Sequence, residues 1–118
     1  MKKYYVYYLI DPRDKKVFYI GKGTKQRMYQ HEKDVRAGRL PHGNKSLFIH
    51  IKEIIDLNKK IIYAKKFETN NEERAYLKEQ EHIRLHGIGN LTNVVGGSTF
   101  GLFNKSYNHA VKKFRKLI

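Results

Sequence analysis

The sequence predicts an α+β domain: a small, mainly antiparallel three-stranded sheet flanked by helices, in the order ββααβαα. Two aromatic and β-branched runs, 4–10 and 17–20, face one another across a turn. Behind them comes an apolar series at helical spacing: Leu47, Phe48, Ile51, Ile54 and Ile55. A third strand-like run at 60–67 is followed by a helix start at Asn71. With 118 residues, the chain is expected to form one domain over 1–118, large enough for one core but not for two.

Each element has a local cause. The run at 4–10 is rich in Tyr, Val and Leu, which suit a pleated, half-buried surface. Asp11-Pro12-Arg13-Asp14 reads as a turn, because proline presets φ and aspartate bonds its own backbone. Gly21 and Gly23 are expected to end the returning strand, and Thr24 to cap a helix reaching about Ala37. Pro41, Gly43 and Asn44 form a connector whose asparagine caps the second helix. Asn71, with Glu72 and Glu73 at the positive end of the dipole, opens a helix that stops at Gly87. The glycines at 87, 89, 96, 97 and 101 mark a long loop, of a length that more often carries function than not. Asn104 then caps a basic C-terminal helix within 102–118, where Tyr107, Ala110, Val111, Phe114 and Leu117 make an apolar stripe.

Composition narrows the function. Lys and Arg number 25 against 11 Asp and Glu, a net charge of +14 that favours a polyanionic partner. Residues 61–100 are the balanced stretch, holding Glu68, Glu72, Glu73, Glu79 and Glu81, and basic segments bracket it. Carboxylates concentrated amid cations suggest a nucleic-acid surface with a metal site inside it. With no cysteine, disulfides, thiol chemistry and Cys-based zinc sites are excluded. The absence of an 18-residue apolar run, of an apolar N-terminal leader and of a broad-faced basic amphipathic helix sets the expectation of a soluble, intracellular protein.

Glu79 is the leading candidate in the second half. It stands four residues from both Ala75 and Ile83, so it points with the core face, where a carboxylate needs a salt bridge, hydrogen bonds or a metal. A buried ion pair with Arg or Lys is the structural alternative. Arg27 and His31 are spaced i, i+4, just beyond Gly21-Lys22-Gly23, where bare backbone is expected to approach a ligand and a helix N-terminus to favour phosphate. A solvated basic face is the bland reading of that pair. Lys22 is expected to contact phosphate or activate a base. Tyr7 and Tyr19 by themselves are ordinary strand packing residues. His42, His50, His82, His86 and His109 read as surface or packing histidines.

Taken together, Val-Tyr-Tyr-Leu-Ile-Asp-Pro at 6–12, Phe-Tyr-Ile-Gly-Lys-Gly at 18–23 and Arg27-x-x-x-His31 resemble the GIY-YIG nuclease superfamily. The branch with ankyrin-repeat, LEM-domain endonucleases and their bacterial and phage relatives is the most similar. Ala75-Tyr76-x-x-Glu79-x-x-x-Ile83 and Leu91-Thr92-Asn93 extend the likeness over roughly 5–101. One departure is Tyr5-Val6-Tyr7, where the first motif's glycine and isoleucine are both replaced.

The resemblance implies roles. Tyr7 would be the general base, with Tyr19, Lys22, Arg27, His31 and Asn93 completing the catalytic set. Glu79 would bind one Mg²⁺ or Mn²⁺. The expected activity is metal-dependent endonucleolytic cleavage of DNA, duplex or branched, by a tyrosine-activated water, with no small-molecule cofactor and no membrane. Lys22, Lys25, Lys112, Lys113 and Lys116 are the expected nucleic-acid contacts. A non-catalytic nucleic-acid-binding module on the same fold, and a ribosomal-type RNA-binding protein, are the rival readings.

Overall fold

A computed structural model describes residues 2–93 of the chain. The expected C-terminal helix, with Lys112, Lys113 and Lys116, lies outside the described residues. The elements run β1 (Tyr4–Ile10), β2 (Val17–Thr24), α1 (Gln30–Arg36), α2 (Lys45–Asp56), β3 (Ile62–Thr69) and α3 (Glu72–His86). Short 3₁₀ turns occupy Arg27–Tyr29, Pro41–Gly43 and Ile88–Asn90. The fold is α+β with an antiparallel sheet in the order β2-β1-β3, as expected.

The central strand, β1, is buried on both faces from Tyr5 to Tyr8 and on to Leu9. Alternation sends Tyr5, Tyr7 and Leu9 to one side, against Val35 of α1 and Leu47, Ile51 and Ile54 of α2. Val6 and Tyr8 go to the other side, with Ile20 and with Ile83 of α3. Helices thus cover both faces of the sheet, and burying one such aliphatic side chain contributes about 1.5–3 kcal/mol.

Local chemistry fixes the connections. Asp11 Oδ1 accepts from Arg13 N at 2.8 Å, and the carboxylate also meets the Arg13 guanidinium and His50 Nε2 of α2. That tie locks the hairpin turn onto α2. Asn44 and Asn71 cap their helices through Leu47 N and Arg74 N, both at 3.0 Å, each contact stabilising by about 1 kcal/mol. α3 ends where Gly87 takes φ 84°, a conformation glycine adopts without a Cβ penalty.

Three expectations need correction. Thr24 caps nothing: it is the last residue of β2, and α1 begins only at Gln30. Lys25, at φ 51°, turns the chain instead, and the Tyr5 hydroxyl holds the turn by donating to Lys25 O (2.7 Å) and accepting from Met28 N (3.1 Å). Gly21 and Gly23 do not break the strand but pair within it, opposite Tyr7 and Tyr5. The third strand runs Ile62–Thr69, two residues later than predicted, because its pairing with β1 reaches from Ile62 opposite Ile10 to Thr69 opposite Tyr4.

The outer edge of β2 is covered by the segment after α3. The register of the hairpin shifts between Leu9 and Ile10, leaving Phe18 without a partner on β1. Its carbonyl accepts from both Thr92 N and Thr92 Oγ1 at 2.7 Å. Asn93 then acts as a substitute ladder, accepting from Ile20 N (3.0 Å) and donating to Ile20 O (2.6 Å). Asn44 Nδ2 reaches Thr92 O at 2.8 Å, so the start of α2 and this edge segment are one unit.

Candidate active site

The site forms where β1 and β2 run side by side and α1 folds back over them. Tyr7 lies opposite Gly21, whose missing side chain is what admits the phenol: a Cβ there would stand 2.5 Å from the Tyr7 hydroxyl oxygen. Gly23 does the same for Arg27, since a Cβ would stand 2.7 Å from Arg27 Cβ and Cγ. The two glycines therefore make room for site side chains, and not for a ligand against bare backbone.

Tyr7, Tyr19 and His31 form a buried trio. The Tyr7 hydroxyl lies 2.7 Å from His31 Nε2. The Tyr19 ring meets the His31 ring edge-on at 4.8 Å, and the two tyrosine rings are 6.2 Å apart. His31 is 1% exposed, and its Nδ1 has no hydrogen-bond partner among the described residues. Glu79 is fully buried on the inward stripe of α3 with Ala75 and Ile83, as its spacing predicts. Its charge is felt at both phenols.

The electrostatics follow from burial and two opposed charges. Desolvation pushes the Tyr7 phenol well above its ordinary 10, with Tyr19 and Glu79 adding to the rise and Arg27 opposing it. Tyr19 is raised as well, by burial first and Glu79 second, with Arg27 and a Tyr7 hydrogen bond pulling down. Burial, then His42 and Arg27, lower His31 to about 3. At neutral pH the trio is uncharged, within electrostatic range of Arg27, and its two phenols also within range of Glu79.

Arg27 is exposed, in the 3₁₀ turn before α1, so it reaches the trio from the solvent side and not from a helix N-terminus. Its guanidinium Nη2 contacts His42 Nε2, and the His42 ring stands edge-on to His31 at 5.4 Å. His42 is thus part of this corner, although its sequence context suggests only a surface residue. It sits at φ 51°, ψ 30°, left-handed backbone that costs a side-chain-bearing residue about 1 kcal/mol or more.

Lys22 does not touch the Tyr7–Tyr19–His31 trio: it lies on the face covered by α3, the helix that carries Glu79. The register sets Lys22 opposite Val6, on the face away from Tyr7, and its Nζ pairs with Glu72 of α3 at 3.1 Å. The cation that lowers the Tyr7 and Tyr19 phenols is Arg27. Lys25 is exposed at the turn after β2. Asn93 acts on the backbone of Ile20, one residue from Tyr19 and one from Gly21, so it supports the site from outside.

His82 and His86 stand four apart on α3, a spacing suited to a metal, but both rings pack edge-on against Tyr8, and the Tyr8 hydroxyl meets His82 Nδ1 at 2.5 Å. Among the described residues, no three His, Cys, Asp or Glu side chains are gathered to hold a metal ion. Among the described residues, a metal at Glu79 would take that carboxylate, with water and phosphate oxygens filling its remaining positions. That donor set fits Mg²⁺ or Mn²⁺, which retain waters readily, and does not fit a closed zinc site.

The family model described as the LEM-3-like GIY-YIG domain matches residues 4–117. No curated protein and no solved structure matches the chain. Among the described residues, no helix is long and apolar enough to cross a membrane.

Proposed function

The chain belongs to the LEM-3-like GIY-YIG family, with its nuclease-type fold, and we propose that it is a divalent-metal-dependent DNA endonuclease. The observation that carries this is the 2.7 Å contact between Tyr7 and His31, set within range of the charges of Arg27 and Glu79. A phenol near ~10 is a poor base in water, and this one is buried and higher still. It becomes useful only if its proton has somewhere to go and positive charge arrives beside it.

In this reading Tyr7 takes a proton from the attacking water while its own passes to His31 Nε2. Burial is the main reason His31 is held low, and the phosphodiester anion, arriving beside Arg27, offsets the smaller share that comes from Arg27. Arg27 donates to the phosphate oxygens as their charge grows, and its planar fork suits that better than an ammonium would. Tyr19 holds the His31 ring edge-on, and Asn93 fixes the strand that carries Tyr19. Glu79 would hold the Mg²⁺ or Mn²⁺, which when bound supplies positive charge to the water and to the leaving oxygen. Cleavage of the P–O3′ bond, with the leaving 3′-oxygen taking a proton from solvent water, leaves 5′-phosphate and 3′-hydroxyl ends.

DNA, duplex or branched, is the proposed partner, drawn by the net charge of +14. A binding module alone does not call for a buried tyrosine hydroxyl held 2.7 Å from a buried histidine within range of the Arg27 and Glu79 charges. Incubating the protein with supercoiled plasmid and with branched duplexes in Mg²⁺, then with chelator, tests the proposal. Nicking or cutting that chelator abolishes supports it; intact DNA under all these conditions contradicts it.

A further inference from the structure

We propose that His42 is a positioning residue for Arg27: its neutral imidazole accepts a hydrogen bond from the guanidinium and orients it beside the Tyr7–His31 pair without cancelling its charge. This deepens the nuclease reading and rests on it for the effect on cleavage, whereas the contact itself is measurable without DNA.

Four observations converge. Arg27 Nη2 and His42 Nε2 are in direct contact, and the His42 ring also stands edge-on to the ring of His31. The turn that delivers His42 is strained: His42 and Gly43 take φ 51° and 67° in succession, and Asn44 N closes the turn on Pro41 O at 2.8 Å. Strain of this kind persists where the surroundings enforce it, and here they do. Pro41 is buried on one side, and on the other Asn44 caps α2 and bonds Thr92 O. The same asparagine thereby links the His42 turn to the edge segment that carries Asn93.

A neutral acceptor has a chemical advantage. An Asp or Glu at this point would orient Arg27 equally well but would neutralise the charge needed at the phosphate. One contact to His42 leaves the other guanidinium N–H donors available for phosphate oxygens. The groups facing His42 are Arg27 from the 3₁₀ turn and His31 and Asp34 from α1. Burial and Arg27 lower the His42 imidazole from its ordinary 6.5, with Asp34 opposing, so the acceptor form prevails at neutral pH. Acidification would place an imidazolium against a guanidinium and release Arg27.

Two measurements on the full chain test this. First, the His42 ring is titrated by NMR, free of metal and DNA, in the wild type and in Arg27→Gln. The expected wild-type midpoint lies below 6.5 and moves upward in the variant; an unchanged midpoint overturns the contact. Second, cleavage kinetics and thermal unfolding are compared for wild type, His42→Gly and His42→Gln. Glycine relieves the left-handed backbone, so stability should hold or rise while kcat falls roughly 10–100-fold with KM little changed. Partial recovery in His42→Gln, whose amide oxygen can accept, is expected. Undiminished kcat in His42→Gly overturns the proposal. A wild-type protein that cuts no DNA would sink the nuclease reading, and the titration would still decide the contact.

Discussion

A Cβ atom on Gly21 would lie 2.5 Å from both Cζ and the hydroxyl oxygen of Tyr7, so the phenol can occupy its place only while the facing strand residue is bare. The contact is with the ring of a side chain buried to 1% exposure, which has no open space into which to swing. One substitution at this point therefore acts on both packing and the site.

Gly21→Ala is expected to cost about 1–3 kcal/mol, the usual range for overpacking a filled core. Displacing the Tyr7 hydroxyl from His31 should also lower cleavage by about 100-fold. Chemical denaturation and plasmid nicking, measured on the same preparation, check both. Wild-type stability together with wild-type nicking would show that Tyr7 does not need this space.

Tyr5→Phe removes the hydroxyl that bridges Lys25 O and Met28 N on either side of Arg27. A loss of about 1–2 kcal/mol is expected, because Met28 N is left without its partner. A drop in kcat through misplaced Arg27 should accompany it. Unfolding curves read the first effect and single-turnover cleavage the second.

Sequence alone reveals those parts of this fold whose causes are local or periodic. Asn44 and Asn71 cap the helices they precede, and Glu79 falls on the buried stripe that its spacing from Ala75 and Ile83 requires. Thr24 misleads because the turn after β2 is held by Tyr5, which is 20 residues from Lys25. Gly21 and Gly23 continue the strand, which sends Lys22 between them to the α3 face, where it pairs with Glu72 and not with Tyr7, a placement the glycine turn alone does not reveal. His42 carries no local signal: Pro-His-Gly-Asn reads as a turn, and its partner Arg27 lies 15 residues away.

Asn93→Ala should strip partners from both backbone groups of Ile20, a residue with no exposed surface. The expected loss is about 2–4 kcal/mol, with early exchange of the Ile20 amide. Hydrogen-exchange protection at Ile20 is the direct readout, and unchanged protection would show that the edge is held by other contacts.

His31 makes stability depend on pH. Its folded value of about 3 lies below the ordinary 6.5, so between these values the unfolded chain binds more protons. Stability is then complete above about pH 6.5 and falls on acidification towards 3, by at most about 1.4 kcal/mol per unit. Asp11, held low chiefly by Arg13, adds a loss of the same sign that begins only near its ordinary 3.8. Replacing His31 with Gln should flatten the pH 4–6 segment of the unfolding free energy, measured without metal. A slope equal to that of the wild type would mean that His31 is not held neutral.

The most direct test of the central claim compares Glu79→Ala with wild type in three measurements: Mg²⁺-dependent cleavage, DNA affinity and thermal unfolding. Cleavage should fall to background while affinity and folding stay close to wild type, because in the proposed function the carboxylate's task is to hold a metal within reach of Tyr7. Full cleavage by a folded Glu79→Ala protein would contradict it.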